Sequence, residues 1–424
     1  MPSPTCAETM LAVTPPMGWN SWDCWGPAVR EETVRRNAEF MARHLKQYGW
    51  EYIVVDIQWY EPGAGSFQYR PFAPLCMDGF SRLVPAENRF PSAANGKGFR
   101  PLSEYVHSLG LKFGIHIMRG IPRQAVHAGT PILGSRATAR DIARDSVCSW
   151  NTDMYGVNPE KDGAREYYDS LFALYASWGV DFVKCDDICR ELPREEAELE
   201  LLSDCLRRCG RDMVLSLSPG PALPEKAEVY KKTANMWRIT DDFWDDWRLL
   251  YDMFARADTW ASVSGPGGWP DADMLPLGPL RRNEGAGDWT RFTSEEQKCM
   301  LTLWSIFRSP LMIGGDMTGF DAFTLGLLTN PGILEMHRLA RYSRQAKRVK
   351  DAAGELVVWT AGRAGGGGYG ALFNLGDAPR EVVPELEPGF AQADTLTELW
   401  TGGMVSASAP VTIPPHGAAA YRIV

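Results

Sequence analysis

Two stretches of this 424-residue sequence place charged side chains where they could do nucleophilic or acid–base chemistry. In VKCDD, Lys184 and Asp186 are two positions apart, so on an extended strand their side chains share a face. A cation beside Asp186 favours its ionised form, the state a carboxylate nucleophile needs. A strand-end ion pair without a chemical role would have the same spacing. In MWRITDDFW, Arg238 and Asp242 are four apart, running from a strand end into a loop. Phe243 and Trp244 follow, and apolar walls raise a carboxyl pKa and suit a general acid. Asp241 and Asp242 also stand where a helix over 244–253 would take its N-cap. Spacing leaves both readings open. One ionised and one protonated carboxyl are the minimal equipment for cleaving a glycosidic bond, with retention at ~5–5.5 Å separation and inversion at ~6.5–9.5 Å.

A third stretch, VVDIQWY (54–60), ends an apolar run in Asp56, followed by Ile57, Gln58, Trp59 and Tyr60. A buried strand closing in an acid and a tryptophan reads as the mouth of a sugar site, with Trp59 at its wall. Tryptophan stacks on the apolar face of a sugar, but it also fills cores.

These side chains need a scaffold that gathers strand ends. Strand patterns run over 52–55, 111–117, 180–184, 213–217, 236–239 and 311–314. Helical patterns lie between, over 32–48, 102–109, 163–178 and 194–209, each followed by a glycine (Gly49, Gly110, Gly179, Gly210) that marks a C-cap. Strand, helix, glycine, strand, repeated over roughly residues 10–335, predicts an α/β fold, a (β/α)8 TIM barrel. A doubly wound sheet is the rival, and no Gly-rich phosphate turn follows the first strand. In a barrel, chemistry sits at the C-terminal ends of the strands. Those ends carry Asp56; His116, Met118 and Arg119; Lys184, Asp186 and Asp187; Ser216 and Ser218; Arg238, Asp241 and Asp242. Residues 120–160 read as a long, weakly patterned βα loop, of the kind that builds sites. Beyond about residue 340 short β-type runs alternate with Gly/Pro/Asp turns, predicting an antiparallel β-domain with a hairpin tip at 365–368. The expected division is a catalytic barrel over 1–338 and a C-terminal antiparallel β-sandwich over 339–424.

The net charge of −9 and the lack of a basic stripe argue against nucleic acid or an anionic membrane as partner. The N-terminal segment has no basic and apolar leader pattern, and no apolar run approaches ~20 residues. The nine cysteines are scattered; Cys185/Cys189 and Cys205/Cys209 are spaced C-x-x-x-C without a histidine cluster. The expectation is reduced thiols, no metal and a cytoplasmic protein. Whether it is a homo-oligomer is left open.

Several motifs, in order, resemble glycoside hydrolase family 27: TPPMGWNSW (14–22), KCDDIC (184–189), MWRITDDFWDDW (236–247) and SGPGGWPDADMLPLG (264–278). SPLMIGGDM (309–317) and LTNPGILEMHR (328–338) resemble the end of its barrel, and ALFNLGD, ELWTGG and IPPHGAAAYRI resemble its C-terminal β-sandwich. The family contains α-galactosidases, α-N-acetylgalactosaminidases and β-L-arabinopyranosidases. The resemblance implies Asp186 as nucleophile and Asp242 as acid/base, with Asp241 second in rank for that role. It implies Lys184 and Arg238 as sugar-binding residues, Trp22 as the floor of the site and Met274 as part of its wall. Asp271 and Asp273 are expected to fix the loop of PDADM. The implied mechanism is two-step and retaining, on an oligosaccharide or glycoside, with no cofactor.

The departures bear on specificity. Where α-galactosidases of the family carry Asp-Asp, gripping the axial O4 and the O6 of galactose, this chain has Asp56-Ile57. His116 stands for a tyrosine, with a hydrogen bond to the sugar or a place in the core as its alternatives. Ser218-Pro219-Gly220 stands for Cys-Glu-Trp, whose Glu reads O2. An isoleucine at the second position replaces an acceptor by apolar bulk where the CH2OH arm would lie. β-L-Arabinopyranose is the galactose-configured ring without that arm. The expectation is an exo-acting β-L-arabinopyranosidase, with α-galactosidase, dual activity or a non-catalytic sugar-binding relative as alternatives. Strand alternation would instead turn Ile57 outward onto a helix.

Overall fold

The computed structural model describes residues 10–65, 67–282, 287–352, 354–363, 365–384 and 395–423. Residues 1–9 of the segment read for a leader, with Cys6, lie outside these. Eight strands form the first sheet: β1 (Met17–Asn20), β2 (Tyr52–Val55), β3 (Lys112–Met118), β4 (Phe182–Asp186), β5 (Val214–Leu217), β6 (Met236–Arg238), β7 (Trp269–Asp271) and β8 (Leu311–Ile313). All neighbours are parallel, in the order β7-β6-β5-β4-β3-β2-β1-β8. The ends meet just past β7. Leu275 N–H donates to the Met312 carbonyl at 2.7 Å and the Leu275 carbonyl accepts from Gly314 N–H at 2.9 Å. This closure makes a barrel and excludes the doubly wound alternative.

Strands β1 and β7 were not among the expected ones, because MGWN and WPD carry glycine, asparagine and proline. Gly18 is required by tertiary packing: a Cβ there would lie 2.5 Å from the Tyr52 carbonyl oxygen.

Strand alternation positions the site. Tyr52 and Val54, Phe182, Val214, Met236, Met274 and Met312 fill the barrel interior as one cluster, against which Trp22 packs. Ile53, Val55, Val183 and Leu215 belong instead to the large core that includes the surrounding helices. Two residues beyond Val54 comes Asp56; two and four beyond Phe182 come Lys184 and Asp186; two beyond Met236 comes Arg238. The inward rows turn from apolar to charged at the C-terminal mouth, which is where a barrel of this kind leaves room for ligand.

Three local expectations change. The helix expected over 244–253 is Trp247–Trp260, because Asp246 is its N-cap and accepts from Arg248 N–H at 2.8 Å. Asp241 and Asp242 are therefore free of a capping role. Residues 120–160 are not a loop. They hold a three-stranded antiparallel sheet (Ile121–Pro122, Ala143–Val147, Met154–Val157) with two short helices, whose elements are too short to show a period. The Glu31–His44 helix ends four residues early and passes into a 3₁₀ turn, Lys46–Tyr48, before Gly49 at φ +101°.

Helix Pro331–Leu339 is followed directly by strand Ala340–Asp351, the first of a six-stranded antiparallel sheet. The pair Arg380–Val382 and Val411–Ile413 packs on it through Val382 and Ile413, against Leu356, Val358, Leu372 and Tyr421, giving the β-sandwich. Gly365, Gly366 and Gly367 all have positive φ and turn the hairpin between Gly354–Arg363 and Gly368–Asn374. Among the described residues no helix is long and apolar enough to cross a membrane, and the eight described cysteines are free thiols.

Candidate active site

A cavity of about 320 Å³ opens at the C-terminal mouth of the barrel. Asp56, Ile57, Lys184, Asp186, Arg238 and Asp242 all line it. Trp22 and Met274, also placed there by the sequence, line it too.

Asp186 ends β4, and its Oδ2 lies 3.0 Å from Nε2 of His116, on neighbouring β3. Its Oδ1 accepts from the N–H of Asp187 at 3.1 Å. Burial by itself would raise this carboxyl. The His116 hydrogen bond, followed by the charges of Lys184 and Arg238, outweighs burial and holds Asp186 well below the usual carboxylate range. The side chain is an anion.

Lys184 does not bond Asp186. Its Nζ donates to Asp56 Oδ2 at 2.8 Å. Asn20 Nδ2 donates to the same oxygen at 2.8 Å, and Ile57 N–H to Oδ1 at 2.8 Å. Burial opposes ionisation of Asp56, but Lys184 and then His116 lower it. Asp56 is thus a fixed, charged acceptor at the end of β2.

Ile57 stands just after β2, in a turn where Gln58 has φ +62°. Ile57 is buried and belongs to the large core that includes the surrounding helices. It lines the cavity beside Asp56.

Arg238 is buried and bridges two acids, with Nη2 2.7 Å from Asp242 Oδ1 and Nη1 2.8 Å from Asp273 Oδ1. Asp273 also accepts the Phe243 N–H at 2.7 Å and so fixes the segment carrying Asp242. The Asp242 side chain is 56 % exposed. Phe243 and Trp244 line the same cavity, but at this exposure they do not enclose the Asp242 carboxyl as expected. Asp241 points elsewhere, pairing with Arg190 at 3.0 Å.

Three residues placed on the substrate by sequence are not on the cavity wall. Trp59 is fully buried; its Nε1 donates to the His116 carbonyl at 2.7 Å and its ring packs edge-on to Phe99 and Trp178. It supports the site from behind. His116 is also fully buried and reaches the chemistry only through Asp186. Ser218 is buried with its hydroxyl unpartnered, while its carbonyl accepts from Ile188 and Cys189; Pro219 is what faces the cavity.

The cavity also recruits residues that sequence reasoning missed. Tyr69 stacks near-parallel on Trp22 with centroids 6.1 Å apart, and Trp150, from the 120–160 excursion, lies 5.6 Å from Tyr69. Neither sits in a periodic element, and only the density of aromatics near them was visible. Asp23, next to Trp22, lines the cavity too. Burial, then the nearby charge of Asp273, pushes its carboxyl well above the usual range.

Comparison with known proteins agrees with this geometry. A family model described as alpha galactosidase A matches residues 157–338, and one described as alpha galactosidase C-terminal beta sandwich domain matches residues 353–423. The crystal structure of a GH27 β-L-arabinopyranosidase from Geobacillus stearothermophilus superposes with a TM-score of 0.92 at 53% identity, covering 97% of this chain and 96% of that one. The chain belongs to glycoside hydrolase family 27. It is a glycosidase by that membership. Within the family, a Bacillus halodurans protein provisionally described as an α-N-acetylgalactosaminidase has a TM-score of 0.87 at 50% identity, over 98% of both chains. The α-galactosidase of Coffea arabica is 30% identical over 88% of this chain and 82% of its own length.

Proposed function

We propose that this protein is a retaining, exo-acting β-L-arabinopyranosidase. The observation that carries the choice within the family is Ile57 on the cavity wall beside Asp56. Asp56, charged and held by three donors, takes the axial O4 of a galactose-configured ring. Ile57 occupies the position of a carboxylate for O6 and presents apolar bulk in its place. A ring lacking the CH2OH arm loses nothing there, whereas an apolar wall rejects an added hydroxyl only by about 10²-fold, which leaves room for secondary activity on galactosides. The likeness to the Geobacillus arabinopyranosidase, a variant of which has been crystallised in complex with arabinose, supports the same reading. The α-galactosidase relatives support secondary activity on α-D-galactosides. Residues 1–338 serve as the catalytic unit and 339–424 as the C-terminal β-domain.

In the first step an Asp186 oxygen attacks C1 while Asp242 gives its proton to the departing glycosidic oxygen. The C1–O bond to the leaving group breaks and a glycosyl ester on Asp186 forms. In the second, Asp242 takes a proton from water, whose oxygen bonds C1 as the ester breaks. Net retention follows. Lys184 and Arg238 neutralise the acids around the ring, and Trp22 supplies a flat apolar surface for it. The reaction as written uses no metal or organic cofactor.

Side-by-side kinetics on aryl β-L-arabinopyranoside, α-D-galactoside and α-N-acetylgalactosaminide test the proposal. The arabinopyranoside is expected to have the highest kcat/KM. A preference for the galactoside would overturn the specificity, and turnover of none would favour a sugar-binding role.

A further inference from the structure

Directly behind Asp186 lies a buried ionic cluster that the chemistry above does not use. At its centre is Arg119, one residue past β3 and only 3 % exposed at the side chain. Its backbone N–H donates to the Asp186 carbonyl at 3.0 Å. Its Nε donates to the carbonyl of Asp187 at 2.7 Å, and its Nη2 to the Asp187 carboxylate at 2.8 Å. One arginine therefore holds the main chain on both sides of the peptide that follows the nucleophile. The hold is needed, because Asp187 has φ +60°, a left-handed conformation that persists only when its surroundings enforce it. The Asp187 N–H, set by that conformation, is the donor to Asp186 Oδ1.

Arg119 is itself held. Nη2 also donates to Ser146 Oγ at 3.0 Å, and Nη1 lies 3.5 Å from Glu195 and 3.4 Å from Glu198. Ser146 comes from the 120–160 excursion, and both glutamates come from helix Leu192–Arg207. The excursion thus has a structural link to the nucleophile as well as an aromatic at the cavity.

We infer that Arg119 is a positioning residue: through Asp187 it fixes the peptide N–H that orients the Asp186 carboxylate. This rests on Asp186 being the nucleophile. A guanidinium fork can hold a carbonyl and a carboxylate at once, whereas a lysine ammonium is a point donor and does not reproduce the fork. Misplacing a reacting group by about 1 Å costs up to ~10²-fold in rate.

The test is Arg119→Lys, with Arg119→Met as the harsher change, in the full-length enzyme. Active sites are counted with a slow 2-fluoro glycoside that traps the ester on Asp186, so that kcat refers to folded, competent sites only. For Arg119→Lys we expect kcat per site to fall about 10–100-fold with KM nearly constant. The acid limb of the pH profile should move to higher pH, since Asp186 loses a donor. A purely structural role would lower the number of sites and leave kcat per site and the acid limb unchanged, which would overturn the inference. Should Arg119→Met fail to fold, Arg119→Lys decides alone. Asp186→Asn is run beside them: if it turns over substrate like wild type, the nucleophile assignment falls; if it is inactive while Arg119→Lys is normal, only the positioning role falls.

Discussion

Lys184 Nζ and Asp56 Oδ2 are 2.8 Å apart across the barrel mouth, although 128 residues separate them in sequence. The lysine that spacing assigned to Asp186 is the direct partner of the other strand-end acid. Asp186 has His116 as its hydrogen-bonding partner, and Lys184 acts on it through space. The two acids thus have different hydrogen-bonding donors, although the charges of Lys184 and His116 act on both.

Asp186→Asn should abolish turnover of an aryl glycoside, by about a thousandfold or more. The amide is nearly isosteric, so circular dichroism and Tm should change little. Turnover near the wild-type level in contamination-free enzyme would remove Asp186 as nucleophile. The product anomer, read by NMR on the wild type, should keep the substrate's configuration.

Ile57→Asp should shift preference toward α-D-galactosides by about tenfold or more in the ratio of kcat/KM values. It adds an acceptor on the cavity wall where the CH2OH arm would lie. An unchanged ratio would mean that Ile57 does not select.

His116→Phe removes the hydrogen-bond donor that lowers Asp186 most. The free-enzyme acid limb of kcat/KM reports Asp186 ionisation and should move to higher pH. Stability follows from the same shift. A depressed carboxyl stabilises the fold above its unfolded value of ~3.9, and that contribution is lost as pH falls through the folded value. In the variant the folded value moves up toward the unfolded one, so the contribution at neutral pH should be smaller and the fall of Tm on acidification shallower. An acid limb that stays in place would show that His116 does not set the charge of Asp186.

Trp59→Ala should act on stability. The side chain is fully buried, and its truncation costs about 3–5 kcal/mol and releases the His116 carbonyl. Chemical denaturation should show that loss. A cost below about 1 kcal/mol with a selective rise in KM would return Trp59 to the cavity wall.

The barrel was legible from residue order alone, because buried parallel strands must be apolar and crossover helices must be amphipathic, and both patterns survive in a linear string. The acids were legible too, since each ends an apolar run: Asp56 after YIVV and Asp186 after FVKC. Family motifs added Trp22, Arg238, Asp242 and Met274, and each of them lines the cavity. What the sequence could not assign was which donor faces which acid. Period-2 spacing says that Lys184 and Asp186 share a face, but only the stagger of β2 against β3 and β4 brings Asp56 to the lysine and His116 to Asp186. For Trp59 and Ser218, residue type allowed either a sugar or a core neighbour, and only tertiary packing sent both behind the wall. Tyr69 and Trp150 have no periodic context, and the fold of the excursion alone brings them to Trp22. Ile57 shows the division most clearly. Its identity was plain in the sequence, but only the end of β2 at Val55 and the turn that follows bring it to the cavity beside Asp56 while it stays packed in the core.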